Sequence, residues 1–583
     1  MTFPHQLVRR WSRVPISEAE TALETAGFPP WLAVLLARRG VADAAAAEAF
    51  LNPSSEHLHS PAELQGVEEA VERIAAARQR DERIAIVGDY DVDGISAAAL
   101  LSAVLRAVGL EVEVILPNRL EEGYGFQVLH VDRAREAGCS LILTADCGTT
   151  AAEAVEEACN KGLDVIITDH HLPAAEPLRG AIEINPKRQP TTYPFPDLAG
   201  AGVALKLAVA VAEHFQRSIE VGTLLRVACL GTICDLVPLI GENRTIASLG
   251  LDELARTRSV GLQELMRKSD VQTPVTASDV GYRLGPRLNA AGRMSRPDEA
   301  LELLMTRDRV RAAVLAQQLD DWNRSRQEAE TRVVEAAIEA FAARDPLPPV
   351  LVAWSESWHP GVVGIAAGRI ARKVHRPTVL FSVDGDWATG SGRSIAEIHL
   401  HEFLSGWKEE YERFGGHAEA IGMKVAVQDL GRLRETWEQG AAALWDQDSL
   451  TKTLTYELEI PASELDNELV AKLRTLEPFG MGNPQPVLRV GPLRPSGKPR
   501  FFGKGHLGLA AQGEDGSPID LLGWGWQDRA KELEDSFEVL GCLEQDRYTQ
   551  RPVLRLVDAR AWELSSGSSA QEGPVPRRMT EDG

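Results

Sequence analysis

Four apolar runs in the first half of the chain end in acids or histidines: IAIVGDYDVDG (84–94), LILTADCG (141–148), VIITDHHLP (165–173) and ACLGTICDLVPL (228–239). Carboxylate oxygen and imidazole nitrogen are the donors that hard and borderline divalent cations take. Read as strands of a parallel sheet, the four runs would deliver those donors at their carboxyl ends. Asp89, Asp91, Asp93, Asp146, Asp169, His170, His171 and Asp235 are therefore expected to converge on one crevice holding two metal ions. The chemistry of such a crevice is metal-dependent hydrolysis. In GDYDVDG three aspartates alternate, which points them to one side if the backbone stays extended. Charges that close repel unless cations neutralise them. By itself such a string is more commonly a solvated Asp-rich turn. DHH is more specific: adjacent histidines preceded by an acid match one ligand, one neighbour and an orienting carboxylate.

The elements that must position these groups follow from the apolar pattern. Short runs at 84–87, 112–116, 141–144 and 165–168 alternate with helical stretches at 97–108 and 151–159, the signature of a parallel α/β sheet. That domain is expected over 76–300, after an Ala- and Glu-rich helical leader (1–75) packed on it. One long connecting helix is expected over 301–345, acting as a stiff spacer. A second α/β unit covers 346–445, with glycine-rich turns GSGRS and FGGHAEAIG. Alternation in LTYELEI and VLRLVDARAWEL predicts a small OB-type barrel over 450–562, and 563–583 reads as a disordered tail.

At 583 residues the chain is too long for one core. No segment has the uninterrupted apolar length that spans a bilayer, and the N-terminus lacks the apolar stretch of a signal peptide. Cys139, Cys147, Cys159, Cys229, Cys234 and Cys542 are scattered without a CxxC pair, as expected of reduced thiols in a cytoplasm. The formal charge of −23 argues against nucleic acid only as a global sum. Two stretches contain no acid. Residues 281–297 carry Arg283, Arg287, Arg293 and Arg296; residues 485–513 carry Arg489, Arg494, Lys498, Arg500 and Lys504, with Phe501 and Phe502 between the last two cations. Two basic strips on an acidic body can focus a polyanion into a groove, although two solvated loops would have the same composition.

In chain order, GDYDVDG, TADCG, DHH and GTICDLVPL resemble the DHH phosphoesterase superfamily. LPNRLEEGYGF (116–126), NPKR (185–188), AGAGVALKL (199–207), GPRLNAAGRM (285–294), WHPGVVGIAAGRIA (358–371), FGGHAEAIGM (414–423) and LEPFGMGNPQP (476–486) narrow the resemblance to its RecJ branch, over roughly 35–560. The resemblance implies a 5′→3′ exonuclease of recombination and repair, degrading single-stranded DNA to mononucleotides with Mn²⁺ or Mg²⁺. It implies a DHH domain, a DHH-associated domain and an OB-fold, and as partners a single-strand-binding protein and a RecQ-type helicase. Carried over by position, Asp91, Asp146, His170 and Asp235 are metal ligands, Asp146 bridging, with one or both of Asp89 and Asp93 completing the set. His171 meets the scissile phosphate or the nucleophile and Asp169 orients its neighbours. Arg287, Asn289 and Arg293 hold phosphates near the metals, and His359, Arg393, Gly415, Gly416 and His417 line the opposite wall. Arg500 and Lys504 are expected to grip DNA away from the chemistry. A monomer is expected, because one chain carries a complete set.

Two other readings compete. Relatives acting on very short oligonucleotides or cyclic dinucleotides generally lack the third domain and the GPRLNAAGRM loop. A catalytically dead DNA-binding subunit would have lost several ligands, and here each is present.

Overall fold

A computed structural model describes residues 9–562 except 16, 119–121, 124, 504 and 547. The expected tail at 563–583 and Lys504 lie outside the described residues. Two compact units emerge: residues 53–452, and residues 9–52 together with 453–562.

The first unit opens on a five-stranded, wholly parallel sheet of β1 (Arg83–Gly88), β2 (Val112–Ile115), β3 (Cys139–Ala145), β4 (Asp164–Thr168) and β5 (Ala181–Ile184), in the order β2-β1-β3-β4-β5. The strands are near-continuously apolar because helices cover both faces. Ile84, Ile86, Leu141 and Leu143 sit in the core shared with the helices α1 (Val92–Ala107), α2 (Gly200–His214) and α3 (Val221–Cys234). Ala85, Val87, Ile142 and Ile167 face the core on the other side. The strand order reverses direction between β1 and β3, so a crevice opens at the carboxyl ends there.

Two expectations fail locally. ACLGTICDLVPL is not a strand: its apolar residues form the last turns of α3, and Asp235 is the C-cap. A short apolar run cannot by itself separate a buried helix from a buried strand. Likewise GPRLNAAGRM is not a loop but the helix α4 (Gly285–Met294), entered through a π-turn at Val280–Leu284.

The connecting helix α5 (Arg309–Ala342) starts later than expected, capped by Asp308, after a separate short helix at Asp298–Met305. It is rooted in two cores. Ala312, Leu315, Ala316 and Leu319 pack with the sheet domain, whereas Val333, Val334, Ala337, Ile338 and Phe341 pack against α6 (Pro360–Val374). A second sheet follows, with β6 (Leu351–Ser355), β7 (Thr378–Asp384), β8 (Trp387–Arg393), β9 (Arg413–His417) and β10 (Ala420–Ala426) in the order β9-β10-β8-β7-β6. Only β6 and β7 are parallel. The glycine-rich GSGRS and FGGH segments, expected as turns, are strands β8 and β9 instead.

In the second unit β11 (Leu488–Pro495), β12 (Arg500–Phe502), β13 (His506–Gly513), β14 (Pro518–Gly523), β15 (Phe537–Gln545) and β16 (Pro552–Ala561) form one sheet. Five strands close into a barrel through the cycle β11-β15-β16-β14-β13-β11. The helical leader does not pack as one piece on the first domain. Leu32, Leu35, Leu36 and Phe50 share a core with Leu488, Val490 and Phe537 of the barrel, while Val67, Ala70, Val71 and Ile74 join the parallel-sheet core. Buried Arg39 fastens this arrangement. It donates to Glu457 Oε1 (2.8 Å), Asn483 Oδ1 (2.6 Å) and the carbonyls of Leu35 and Pro484. Among the described residues no helix is long and apolar enough to cross a membrane.

Candidate metal centre and its surroundings

Asp89 and Asp91 follow β1, Asp146 follows β3, and Asp169, His170 and His171 follow β4. These are the strand ends at the reversal point of the sheet. Asp91 caps α1, accepting from the backbone N–H of Asp93 (2.9 Å) and Gly94 (3.1 Å). The backbone therefore turns helical inside GDYDVDG, and strict alternation ends at Asp91. Asp93 is buried in the first turn of α1 and accepts from Gly200 N (2.7 Å) and Ala201 N (2.9 Å) at the start of α2. That helix end favours its negative charge. Asp235 sits at the opposite kind of end, the C-terminus of α3, where the helix dipole disfavours an acid.

Three overlapping groups bring their ligand atoms within 4.8 Å of one another: Asp146 with His170 and His171; Asp93 with His170 and Asp235; and Asp89 with Asp91 and Asp146. His170 Nε2 lies 3.3 Å from Asp146 Oδ1, 3.4 Å from Asp235 Oδ2 and 3.9 Å from Asp93 Oδ2. Both His170 Nε2 and Asp146 Oδ1 are buried without a hydrogen-bond partner. Burial holds His170 down to about 3, so its imidazole is neutral and presents a lone pair. Burial and neighbouring acids raise Asp93 to about 7 and Asp235 to about 8, and raise Asp146 well above the ordinary carboxylate range. Carboxylates crowded around an imidazole lone pair are a donor set for divalent cations. The neighbouring backbone is shaped to the same end. A Cβ on Gly200 would lie 2.2 Å from Asp146 Oδ1, and one on Gly231 would lie 2.2 Å from Asp93 Oδ1.

His171 differs from its neighbour. Its Nδ1 is 2.7 Å from Asp169 Oδ1, and that carboxylate also accepts from the backbone N–H of His170, His171 and Thr149. Although burial opposes its charge, the Asp169 contact raises His171 to about 9. The carbonyl of His171 accepts from Asn185 Nδ2 (2.9 Å), which also reaches Thr149 Oγ1 (3.2 Å). Asn185 belongs to NPKR, whose residues the sequence left without a role. Gly200 likewise stood in AGAGVALKL unassigned, because a clearance role leaves no chemical signal.

The remaining expected residues divide by element. Asn289 on α4 accepts from Val92 N (3.2 Å) and so touches the start of α1 beside Asp91. Arg287, on the same helix, is turned to Asp320 of α5 (Nε to Oδ1 2.9 Å) and to the Arg283 carbonyl. Nothing in the sequence pointed to that partner, 33 positions away. Arg293 lies in the last turn of α4, and its carbonyl meets α6, where a Cβ on Gly361 would lie 2.7 Å from it. His359 caps α6, accepting from Gly361 N (3.0 Å). Arg393 and His417 both register on Ala420, one across β8 and β10, the other in the exposed β9–β10 hairpin that contains Gly415 and Gly416. In the second unit Arg500 is exposed beside Phe501 and Phe502, and Phe502 stands in edge contact with Trp524 (6.0 Å between ring centres).

Comparison with known proteins matches residues 83–232 to the DHH family N-terminal domain, 347–443 to the DHHA1 domain and 456–557 to the RecJ OB domain. A "Single-stranded-DNA-specific exonuclease RecJ" of Bacillus subtilis is 36% identical over 82% of this chain and 61% of its own length. The protein of that name from Dickeya dadantii is 33% identical over 94% of this chain and 98% of its own. The crystal structure of RecJ in complex with Mn²⁺ from Thermus thermophilus superposes with a TM-score of 0.80 at 29% identity, over 96% of this chain and 81% of that one. With its domains in the same order and the acid–histidine cluster in place, the chain belongs to the RecJ family.

Proposed function

We propose that this protein is a 5′→3′ exonuclease that degrades single-stranded DNA to mononucleotides by two-metal hydrolysis, in recombination and repair. The observation that carries the reading is the gathering of Asp89, Asp91, Asp93, Asp146, His170 and Asp235 around unpaired donor atoms at the sheet's reversal point. These residues would hold two Mn²⁺ or Mg²⁺ ions, Asp146 and His170 each belonging to two of the three groups. Divalent cations in such a site supply charge for the non-bridging oxygens and lower the pKa of an attacking water.

The chain's own groups do the rest. Asp169 holds Nδ1 of His171, so the other ring nitrogen is presented to the scissile phosphate as charge builds on it. Water attacks the phosphorus in line and gives up a proton, while the bond to the 3′-oxygen of the first nucleotide breaks and that oxygen takes up a proton. Asn289 and Arg293 on α4 stand on one side of the strand; Arg287, through Asp320, keeps that helix on α5. His359, Arg393, Gly415, Gly416 and His417 on the second sheet and α6 supply the other side, with α5 fixing the spacing through both cores. Arg500, and Lys504 beyond the described residues, grip the strand on the barrel, where exposed aromatic rings stack bases.

Family resemblance supports action on strands exposed by a RecQ-type helicase and coated by a single-strand-binding protein, and the scattered cysteines support a cytoplasmic setting. The test is a single-stranded oligonucleotide labelled at either end, with and without Mn²⁺. A 5′ label should appear at once as mononucleotide, and a 3′ label only after gradual shortening. Immediate release of a 3′ label, or comparable digestion of blunt duplex, would reject the reading.

A further inference from the structure

Beside the metal centre lies a cation to which nothing so far gives a task. Lys187 follows β5 in the segment Asn185–Pro186–Lys187–Arg188. The two basic residues of that segment are used differently. Arg188 is buried and committed, donating to Glu183 Oε1 (2.6 Å) and to the Ala174 carbonyl (2.6 Å). Lys187 is half-buried, and among the described residues its ammonium makes no ion pair and no hydrogen bond.

The acids of the centre and of β5 are engaged elsewhere. Asp169 is taken by His171 and by three backbone N–H groups. Glu183 is taken by Arg188 and by the Thr149 hydroxyl (2.5 Å), and Asp93 by Gly200 and Ala201. Lys187 is also one of the smaller charges acting on Asp235 and His170, in line with a place beside the centre.

Its position is also fixed relative to the reacting groups. Asn185 Oδ1 accepts from the backbone N–H of Lys187 (2.9 Å), a side-chain turn that sets the backbone there. The same amide donates through Nδ2 to the carbonyl of His171 (2.9 Å). One side chain thus ties Lys187 and His171 into a single frame. Residues placed to contact phosphate need such a frame, since loss of about 1 Å in placement costs on the order of a hundredfold in rate.

We infer that Lys187 is a further catalytic residue, whose ammonium binds the scissile phosphate on the side of His171 and offsets the charge that develops as the bond to the 3′-oxygen breaks. An unpaired ammonium over a dense acid cluster also draws a polyanion toward a centre that would otherwise repel it. The inference rests on the exonuclease reading above.

The experiment compares wild type, Lys187→Met and Lys187→Arg on a short 5′-labelled single strand at saturating Mn²⁺. It separates kcat from KM and measures Mn²⁺ binding by calorimetry in the absence of DNA. Lys187→Met should lose about a hundredfold in kcat/KM, Lys187→Arg should recover most of it, and Mn²⁺ affinity should stay level or tighten, since a repelling charge has gone. Unchanged kcat/KM in Lys187→Met would overturn the assignment. So would a loss accompanied by a matching fall in Mn²⁺ affinity, because the residue would then serve the cations alone. An inactive wild type would remove the exonuclease reading and this inference with it; an active wild type matched by Lys187→Met removes the inference only.

Discussion

A Cβ on Gly200 would lie 2.2 Å from Asp146 Oδ1, so the first turn of α2 and the acid after β3 fit together only because residue 200 has no side chain. Gly200→Ala should therefore displace Asp146 without harming the helix, where alanine is favoured over glycine by about 1 kcal/mol. The expected result is a loss of at least about a hundredfold in kcat, with a raised Mn²⁺ requirement and an unchanged circular-dichroism spectrum. Near-normal turnover would show that Asp146 has freedom to move and is not held in place.

Removing a donor should separate metal binding from folding. Asp146→Ala or His170→Ala should abolish hydrolysis and leave the metal-free protein as stable as wild type, since Asp146 contributes surplus like charge and His170 Nε2 an unpaired lone pair. Mn²⁺ should stabilise wild type by about 2.7 kcal/mol at a hundred times its dissociation constant, and the variants by much less. Thermal unfolding with and without Mn²⁺ reads this directly. A variant that keeps both turnover and the Mn²⁺ shift would sink the site assignment.

On the barrel, charge reversal at Arg500 and Lys504 should weaken binding of long single strands and flatten its salt dependence. Phe502→Ala or Trp524→Ala, each removing an exposed ring, should cost about 1–3 kcal/mol of binding per unstacked base. Hydrolysis of very short oligonucleotides should change little. Equal losses on long and short substrates would argue against a separate grip.

Arg39→Met tests the second unit's construction. Arg39 and Glu457 are both buried, and the guanidinium also holds Asn483 and the Pro484 carbonyl. Losing it strands a buried carboxylate, which costs about 3–5 kcal/mol. Denaturant unfolding of the full chain should show the loss in an early transition, with hydrolysis of short oligonucleotides retained. A single unshifted transition would mean that the leader and the barrel do not depend on this residue.

Much of the chemistry was legible from residue types alone. Strands buried on both faces must be continuously apolar, so IAIV, LILT and VIIT announced a parallel sheet, and acids at their ends announced a cation site. Alternation was enough for the barrel strand that holds VLRLVDARA, and helical spacing for α5, whereas LTYELEI, read by the same alternation, lies outside the closed barrel. Asp235 was placed correctly as a donor but on the wrong element, because a short apolar run has no period that separates strand from helix.

Only the tertiary structure decided the rest, and the reason is common to each case: contacts between residues far apart in sequence leave no local pattern. The leader's division between two cores depends on which apolar surface Leu35 and Val71 meet. Arg287 finds Asp320 on another helix, and Asn185 joins His171 to Lys187 through one amide. Gly200 and Gly231 matter for what they leave empty, which no side-chain chemistry advertises. The donor types were written in the sequence; their spacing around a common point came from the order in which β1, β3 and β4 lie side by side.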